Sequence, residues 1–341
     1  MSDRLRCLVA LVGAAVTGCD ADAGPGHHHH HHHHVPDAGV EDAGPFTGPA
    51  RLSETGLYAD LRAGALAEGV LPYRVRHELW SDGSDKSRFL WLPPGTHIDA
   101  TDPDAWRFPI GTRVWKEFRV DGKRIETRFM EKTGDGSDPW LRVAYVWNAE
   151  QTEAFAAPDG ERDAGGSAHD VPSRAQCRVC HRGAADDLLG VSLYQVGAPD
   201  GDGTLRRLVA SGRIVPSLEP RAIPGEPAAR EALGYLHANC GHCHGDRHPL
   251  GAYVALRLAV PAGLERVEDA PVYATAIGRR AGHVVDGLDT IVVPGSPDRS
   301  QLVARMQTRR PEHQMPPLAT ERVDETGVGL VRAWIASLPR R

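Results

Sequence analysis

Two segments combine side chains that can do chemistry together: Cys177-Arg178-Val179-Cys180-His181 and Cys240-Gly241-His242-Cys243-His244. Residues three and four apart on a helix share one face, so in each segment both thiols and the imidazole point the same way. Cys-Xaa-Xaa-Cys-His is the attachment pattern of a c-type haem. The thiols form thioethers to the haem vinyl groups and the imidazole reaches the iron. The expectation is two covalently bound haem c groups, one on Cys177 and Cys180 with His181 on iron, the other on Cys240 and Cys243 with His244 on iron. Zinc is the competing use of the same residues, as a four-thiolate site or one that includes the histidines. The two pairs, however, are separated by 60 positions, from 180 to 240, against about 15–20 in a zinc ribbon. A disulfide within each pair is a third use. Neither alternative explains the histidine directly after both pairs.

An iron held by one histidine has a sixth position to fill. Met315-Pro316-Pro317 is the candidate for the second haem, because the prolines disfavour helix and present the thioether from a stiff loop. The chain has only four methionines, and Met1 stands before the apolar leader. Histidine–methionine ligation raises the reduction potential and suits an electron carrier. For the first haem, His169, His283, Met130 and Met306 all remain open, as does an empty position that could take peroxide or a gas. His237, His242 and His248 crowd the second motif and read as surface residues.

The N-terminus reads as a leader. Arg4 and Arg6 precede an apolar run, Cys7 to Val16, that is too short to span a bilayer, which needs about 20 residues, but fits a secretory signal. It ends in Val16-Thr17-Gly18-Cys19, a lipobox in which Cys19 takes the lipid. With Cys7 in the leader and Cys19 lipidated, the remaining four of the six cysteines all fall in the two motifs. The expected location is therefore outside the cytoplasm, anchored to a membrane through lipid on the periplasmic or cell-surface side. The net charge of −6 includes no basic block, so nucleic acid is not an expected partner. A redox protein is, and the oligomeric state is not readable.

Residues 1–19 are thus the signal peptide and lipobox. Residues 20–50 are rich in Asp, Ala, Gly and Pro and lack the apolar groups that offset ordering entropy, so they read as a disordered tether. The tether includes eight consecutive histidines, His27 to His34, either a purification tag or a native tract that binds metal loosely. Residues 51–170 read as a β-rich domain. Arg88 to Leu92 form a strand stopped by Pro93-Pro94. Val114, Phe118 and Val120 mark a second, Asp121-Gly122 a hairpin turn, Ile125, Thr127 and Phe129 a third, and Leu141 to Trp147 a fourth. The pattern is an antiparallel meander, expected as a small sandwich. Asp82 to Asp85 and Asp135 to Asp138 carry clustered carboxylates but read as turns.

Residues 171–225 form the first haem segment. Ser173-Arg174-Ala175-Gln176 is a capping box opening a helix into Cys177, and the first haem would nest against the β domain. Residues 226–341 read as mainly helical. Leu233, Leu236 and Cys240 share a face. Ser296-Pro297-Asp298 marks a helix start, and Val328, Val331, Trp334, Ile335 and Leu338 form a terminal apolar stripe ended by Pro339. The predicted class is α+β: an antiparallel β-rich domain followed by a mainly α-helical cytochrome c-like domain.

From Leu52 onward the chain resembles exported bacterial dihaem c-type cytochromes. The matching pieces are Leu79-Trp80-Ser81-Asp82, Lys86-Ser87-Arg88, Leu92-Pro93-Pro94-Gly95, Phe108-Pro109-Ile110-Gly111-Thr112, Glu126-Thr127-Arg128, Tyr145-Val146-Trp147-Asn148 and Pro172 to Cys177. The end, from Tyr235 through Pro294-Gly295-Ser296-Pro297 to Met315-Pro316-Pro317 and Trp334-Ile335, is similar to a class I cytochrome c domain. The resemblance implies haem binding and electron transfer outside the cytoplasm, and it names no reaction. The other two readings are a peroxidase-like haem reductase, reacting at an open first haem, and a zinc-binding structural protein.

Overall fold

The computed structural model describes residues 44–318 and 320–340. These belong to one compact unit, Asp37–Arg341. The expectations for the leader, for Cys19 and for the histidine tract fall on residues 1–43, outside the described residues.

Six strands form one antiparallel sheet in chain order: β1 (Leu71–Tyr73), β2 (Asp85–Trp91), β3 (Arg113–Val120), β4 (Lys123–Lys132), β5 (Trp140–Trp147) and β6 (Ala154–Ala156). The β3–β4 hairpin turns at Asp121 and Gly122, both left-handed with φ of 49° and 77°, as a two-residue type I′ turn requires. One face carries Phe89, Trp115, Phe129 and Val143 in register across β2 to β5. They pack with Tyr145 and Trp147 beneath Leu52 and Leu57. The opposite face carries the row Leu90, Val114 and Met130, covered by Trp106, Phe108, Trp140, Leu205 and Ile214.

The meander is thus as expected, but the sandwich is not. There is one large sheet, and the layers on its two faces are irregular segments, short helices and two-stranded pairs. The reason is visible in β3, where Val114, Trp115, Glu117 and Phe118 are all buried. Burial on both faces hides the alternation that would distinguish a covered single sheet from half of a sandwich. Residues 44–50, expected in the tether, lie along this body: Phe46 packs on its core, and the Pro49 carbonyl accepts from the Tyr145 hydroxyl at 2.9 Å.

Four helices matter for the site: α1 (Arg174–His181), α2 (Pro227–Asn239), α3 (Gln301–Gln307) and α4 (Glu325–Ser337). The capping box before α1 is formed in both directions, with Ser173 Oγ accepting from the Gln176 amide at 3.2 Å and Gln176 Oε1 from the Ser173 amide at 2.9 Å. Asp324 caps α4 through the Gly327 amide at 2.9 Å. The terminal stripe of Val328, Val331, Trp334, Ile335 and Leu338 is buried, together with Leu233, Leu236, Leu302 and Met306 of α2 and α3. α2 and α4 cross so closely that a Cβ on Gly327 would overlap the Tyr235 ring. Ser296 does not cap a helix: a 3-10 turn, Pro297–Arg299, comes first and α3 starts after Ser300. The architecture is α+β. Among the described residues no helix is long and apolar enough to cross a membrane.

A strap from the sheet side closes over the helical half. Trp80 N donates to Asn239 Oδ1 at 2.7 Å, and Asn239 Nδ2 returns bonds to the carbonyls of Glu78 at 2.9 Å and Tyr235 at 3.1 Å. Asp82, with φ of 51°, accepts from the amides of Arg322 at 2.8 Å and Glu321 at 3.1 Å. So Asp82 serves as a hydrogen-bond acceptor in a turn. Asn239 is 3% exposed. Asn239→Ala should cost roughly 1–3 kcal/mol for the buried groups it leaves unpaired, read as a lower midpoint in urea with an unchanged slope.

Candidate functional site

The two Cys-Xaa-Xaa-Cys-His segments, distant in sequence, lie against each other. His248 Nδ1 accepts from the Leu250 amide at 3.0 Å, which leaves Nε2 as the protonated nitrogen, and Nε2 donates to the Val179 carbonyl inside the first motif at 3.0 Å. A Cβ on Gly183, just past the first motif, would overlap the carbonyl oxygen of His242 in the second. Cys180 and Cys243 are close enough for each other's charge to matter.

The first motif occupies the second half of α1, which contributes no fully buried residue of its own. The burial of its functional groups nonetheless pushes the Cys177 thiol up to about 11 and the His181 imidazole down to about 3. His181 Nδ1 stands 2.8 Å from the Asp187 carbonyl. A carbonyl only accepts, so Nδ1 carries the proton and Nε2 keeps its lone pair, the arrangement a metal-ligating imidazole needs. Asp187 is itself held down. Its carboxylate pairs with Arg142 at 2.8 Å, and neighbouring Asp186 pairs with Lys132 at 3.0 Å and accepts from the Phe108 amide at 2.6 Å. Asp186 and Asp187 adopt φ of 47° and 53°, a strained left-handed pair for residues other than glycine.

The second motif departs from the helical placement expected of it. α2 ends at Asn239, and the motif continues as a turn in which the His244 amide donates to the Cys240 carbonyl at 2.8 Å. Only glycine fits at position 241 of this turn: a Cβ there would stand 3.0 Å from the Ala259 backbone and crowd the His237 carbonyl. Burial pushes the Cys240 and Cys243 thiols up to about 12 and lowers His244, against the pull of the Leu256 carbonyl. That carbonyl influences the ring without completing a bond, since His244 Nδ1 is buried without a hydrogen-bond partner of good geometry. The neighbouring histidines are not surface residues. His248 is 2% exposed; burial lowers His242 to about 4, and His237 accepts from the Val260 amide through Nδ1 at 3.0 Å. His248 and His237 thus serve the backbone, which lone histidines in sequence do not reveal.

Met315 lines a small crevice with Trp80, Tyr235, Met306, Arg322 and Val328. Its amide is held by the Arg305 carbonyl at 2.9 Å. Tyr235 is also within electrostatic reach of Cys240, and Arg305 of His244. Met315 and the second motif therefore share two neighbours. The other candidates for iron are differently engaged. His169 Nε2 is 2.7 Å from Glu126, Met130 is buried in the sheet core, Met306 lies in the Met315 crevice and His283 is exposed on a hairpin.

The residues present fit haem c, since each thiol pair is followed directly by its own imidazole. Cys177, Cys180, Cys240 and Cys243 are all free thiols in the structure. Among the described residues no three His, Cys, Asp or Glu side chains converge as a cage for a metal ion. Sequence reading missed Asp187 and Gly183, took His248 for a surface residue, and gave the strap residues Trp80 and Asp82 no partners. Only the Asp186-Asp187 doublet carried a local signal, since acidic residues tolerate left-handed turns. Comparison of the chain with family models, with curated proteins and with solved structures finds no match.

Proposed function

We propose that this chain is an exported, lipid-anchored dihaem c-type cytochrome that carries electrons between its two haems and an external redox protein. The observation that supports it is the apposition of two complete Cys-Xaa-Xaa-Cys-His segments, joined by the His248–Val179 bond and the Gly183–His242 contact. Haem c, when bound, supplies a one-electron couple at iron. Cys177 and Cys180 would hold one group and Cys240 and Cys243 the other. His181 would offer Nε2 because Asp187 fixes its tautomer, with His244 in the same role at the second motif. Met315 would complete the second iron from its loop, and α2 crossing α4 would form a cytochrome c-like lobe around it. The strap of Trp80 and Asp82 would shield that lobe from water. Cys19 would carry the anchor.

A peroxidase-like reductase is the second reading. It is favoured by one observation: each of the four candidate sixth ligands of the first haem is engaged elsewhere or turned to solvent. A high-spin signal from that haem would select it, and low-spin spectra from both haems in the reduced protein would exclude it.

The deciding experiment is a pyridine haemochrome assay with intact mass, on full-length protein matured in a host that attaches haem c. Two haems per chain is the expected count. Cys177→Ala with Cys180→Ala should leave one. Colourless protein with titratable thiols, or zinc without iron on metal analysis, would overturn the proposal.

A further inference from the structure

The sheet face beneath the first motif carries a charge arrangement that the electron-carrier reading does not use. Arg88, Lys116 and Arg128 stand directly opposite one another on β2, β3 and β4. Like charges facing across strands repel. Lys86 lies two residues from Arg88 on the same face, with its side chain 3% exposed. These four cations are served by two carboxylates. Glu78 pairs with Lys86 at 3.4 Å and with Arg88 at 3.1 Å. Glu126 pairs with Arg128 at 2.6 Å and is shared with His169. Lys116 has no carboxylate within ion-pair distance among the described residues, and its ammonium sits 4.9 Å from the Phe118 ring.

The contrast on the same face is informative. Lys132 has two carboxylates, Asp135 and Asp186, and Arg142 has two, Asp138 and Asp187. The fold thus gives each of these two buried cations a pair of carboxylates and leaves the row of Arg88, Lys116 and Arg128 short. A buried positive charge without a counter-charge is costly. Arg128 is close enough to Cys177 and Cys180, and Lys116 to Cys180 and His181, to influence their protonation.

We propose that Arg88, Lys116 and Arg128 form an anion site that takes one carboxylate-type oxyanion beside the first motif. Glu126 takes Nε and Nη2 of Arg128 and Glu78 takes Nη1 of Arg88, so Arg128 offers Nη1 and Arg88 its second arm as charged donors to an oxyanion, and the oxyanion supplies the counter-charge that Lys116 lacks. The oxyanion could come from a propionate of the first haem or from solution. The first source rests on the dihaem proposal and the second does not.

The test uses haem-loaded full-length protein and its Lys116→Met variant, with Lys116→Gln in reserve should the first fail to fold. Sodium formate is titrated at low ionic strength by calorimetry and by thermal unfolding, against sodium chloride at equal ionic strength. Saturable formate binding, weakened at least tenfold in K116M, assigns the site to a free oxyanion. No formate binding, but a propionate bending mode in the resonance Raman spectrum that shifts in K116M, assigns it to the haem. Without formate, K116M should unfold at a higher temperature than the parent in the first case and at a lower one in the second. If formate does not bind and the propionate mode is unchanged, or formate binds both proteins equally, the proposal is overturned. A haem count of zero defeats the cytochrome reading alone, because the formate titration still decides the anion site.

Discussion

Gly183→Ala should separate the two motifs. The added methyl would overlap the carbonyl oxygen of His242 and stand 3.0 Å from the His248 ring. A backbone carbonyl has no rotamer to escape into, so the second motif as a whole must shift. Overpacking of this kind costs roughly 1–3 kcal/mol, and for a chain of this size the unfolding midpoint should fall on the order of 5 °C. The His248–Val179 bond should be lost with it. In the haem-loaded protein the haem count should stay at two while electron exchange between the haems slows, measured by fast reduction of one haem and the lag of the other. Gly329→Ala is the control. A Cβ there meets nothing within 4 Å, and on α4 it should stabilise by up to about 1 kcal/mol through helix propensity. Equal behaviour of the two variants would show that the Gly183 contact does not hold the motifs together.

Met315→Ala should abolish the weak near-infrared band of a methionine-ligated ferric haem and lower the potential of one haem while leaving the other in place. Axial ligands tune haem potentials over roughly 0.8 V, so the fall should be large beside any effect of packing. The structure adds a competitor within the same crevice, Met306 on α3, which is 6% exposed. Met306→Leu conserves volume and should leave the band intact at a stability cost below about 1.5 kcal/mol. A band that survives Met315→Ala and disappears in Met306→Leu would transfer the ligand role to Met306.

What could be read from sequence was local. Asp121-Gly122, the Ser173 capping box and the apolar stripe of the last helix each depend on neighbours a few residues away, and each has the expected form. The long-range features were not legible. His248 looked like one more exposed histidine, but its ring bridges two segments 69 residues apart. Trp80 and Asp82 were noticed as matching pieces without a role, because their partners, Asn239 and Arg322, come much later in the chain. The sheet was mistaken for part of a sandwich because its strands are covered on both faces by irregular chain, which has no periodicity to detect. The cationic row was hidden for a related reason. Arg88, Lys116 and Arg128 are spread over three strands, and only the pairing register makes them neighbours.

The strap has a bearing on the order of assembly. Trp80 waits for Asn239, 159 residues downstream, and Asp82 for Arg322, 240 residues downstream. Contacts of such range close late, because the loop entropy must be overcome before they contribute. Under the proposed export, the helical lobe would therefore remain unlatched until nearly the whole polypeptide had emerged. An attachment enzyme would find Cys240 and Cys243 on a still-open chain, and the latch would shut only after its work was done.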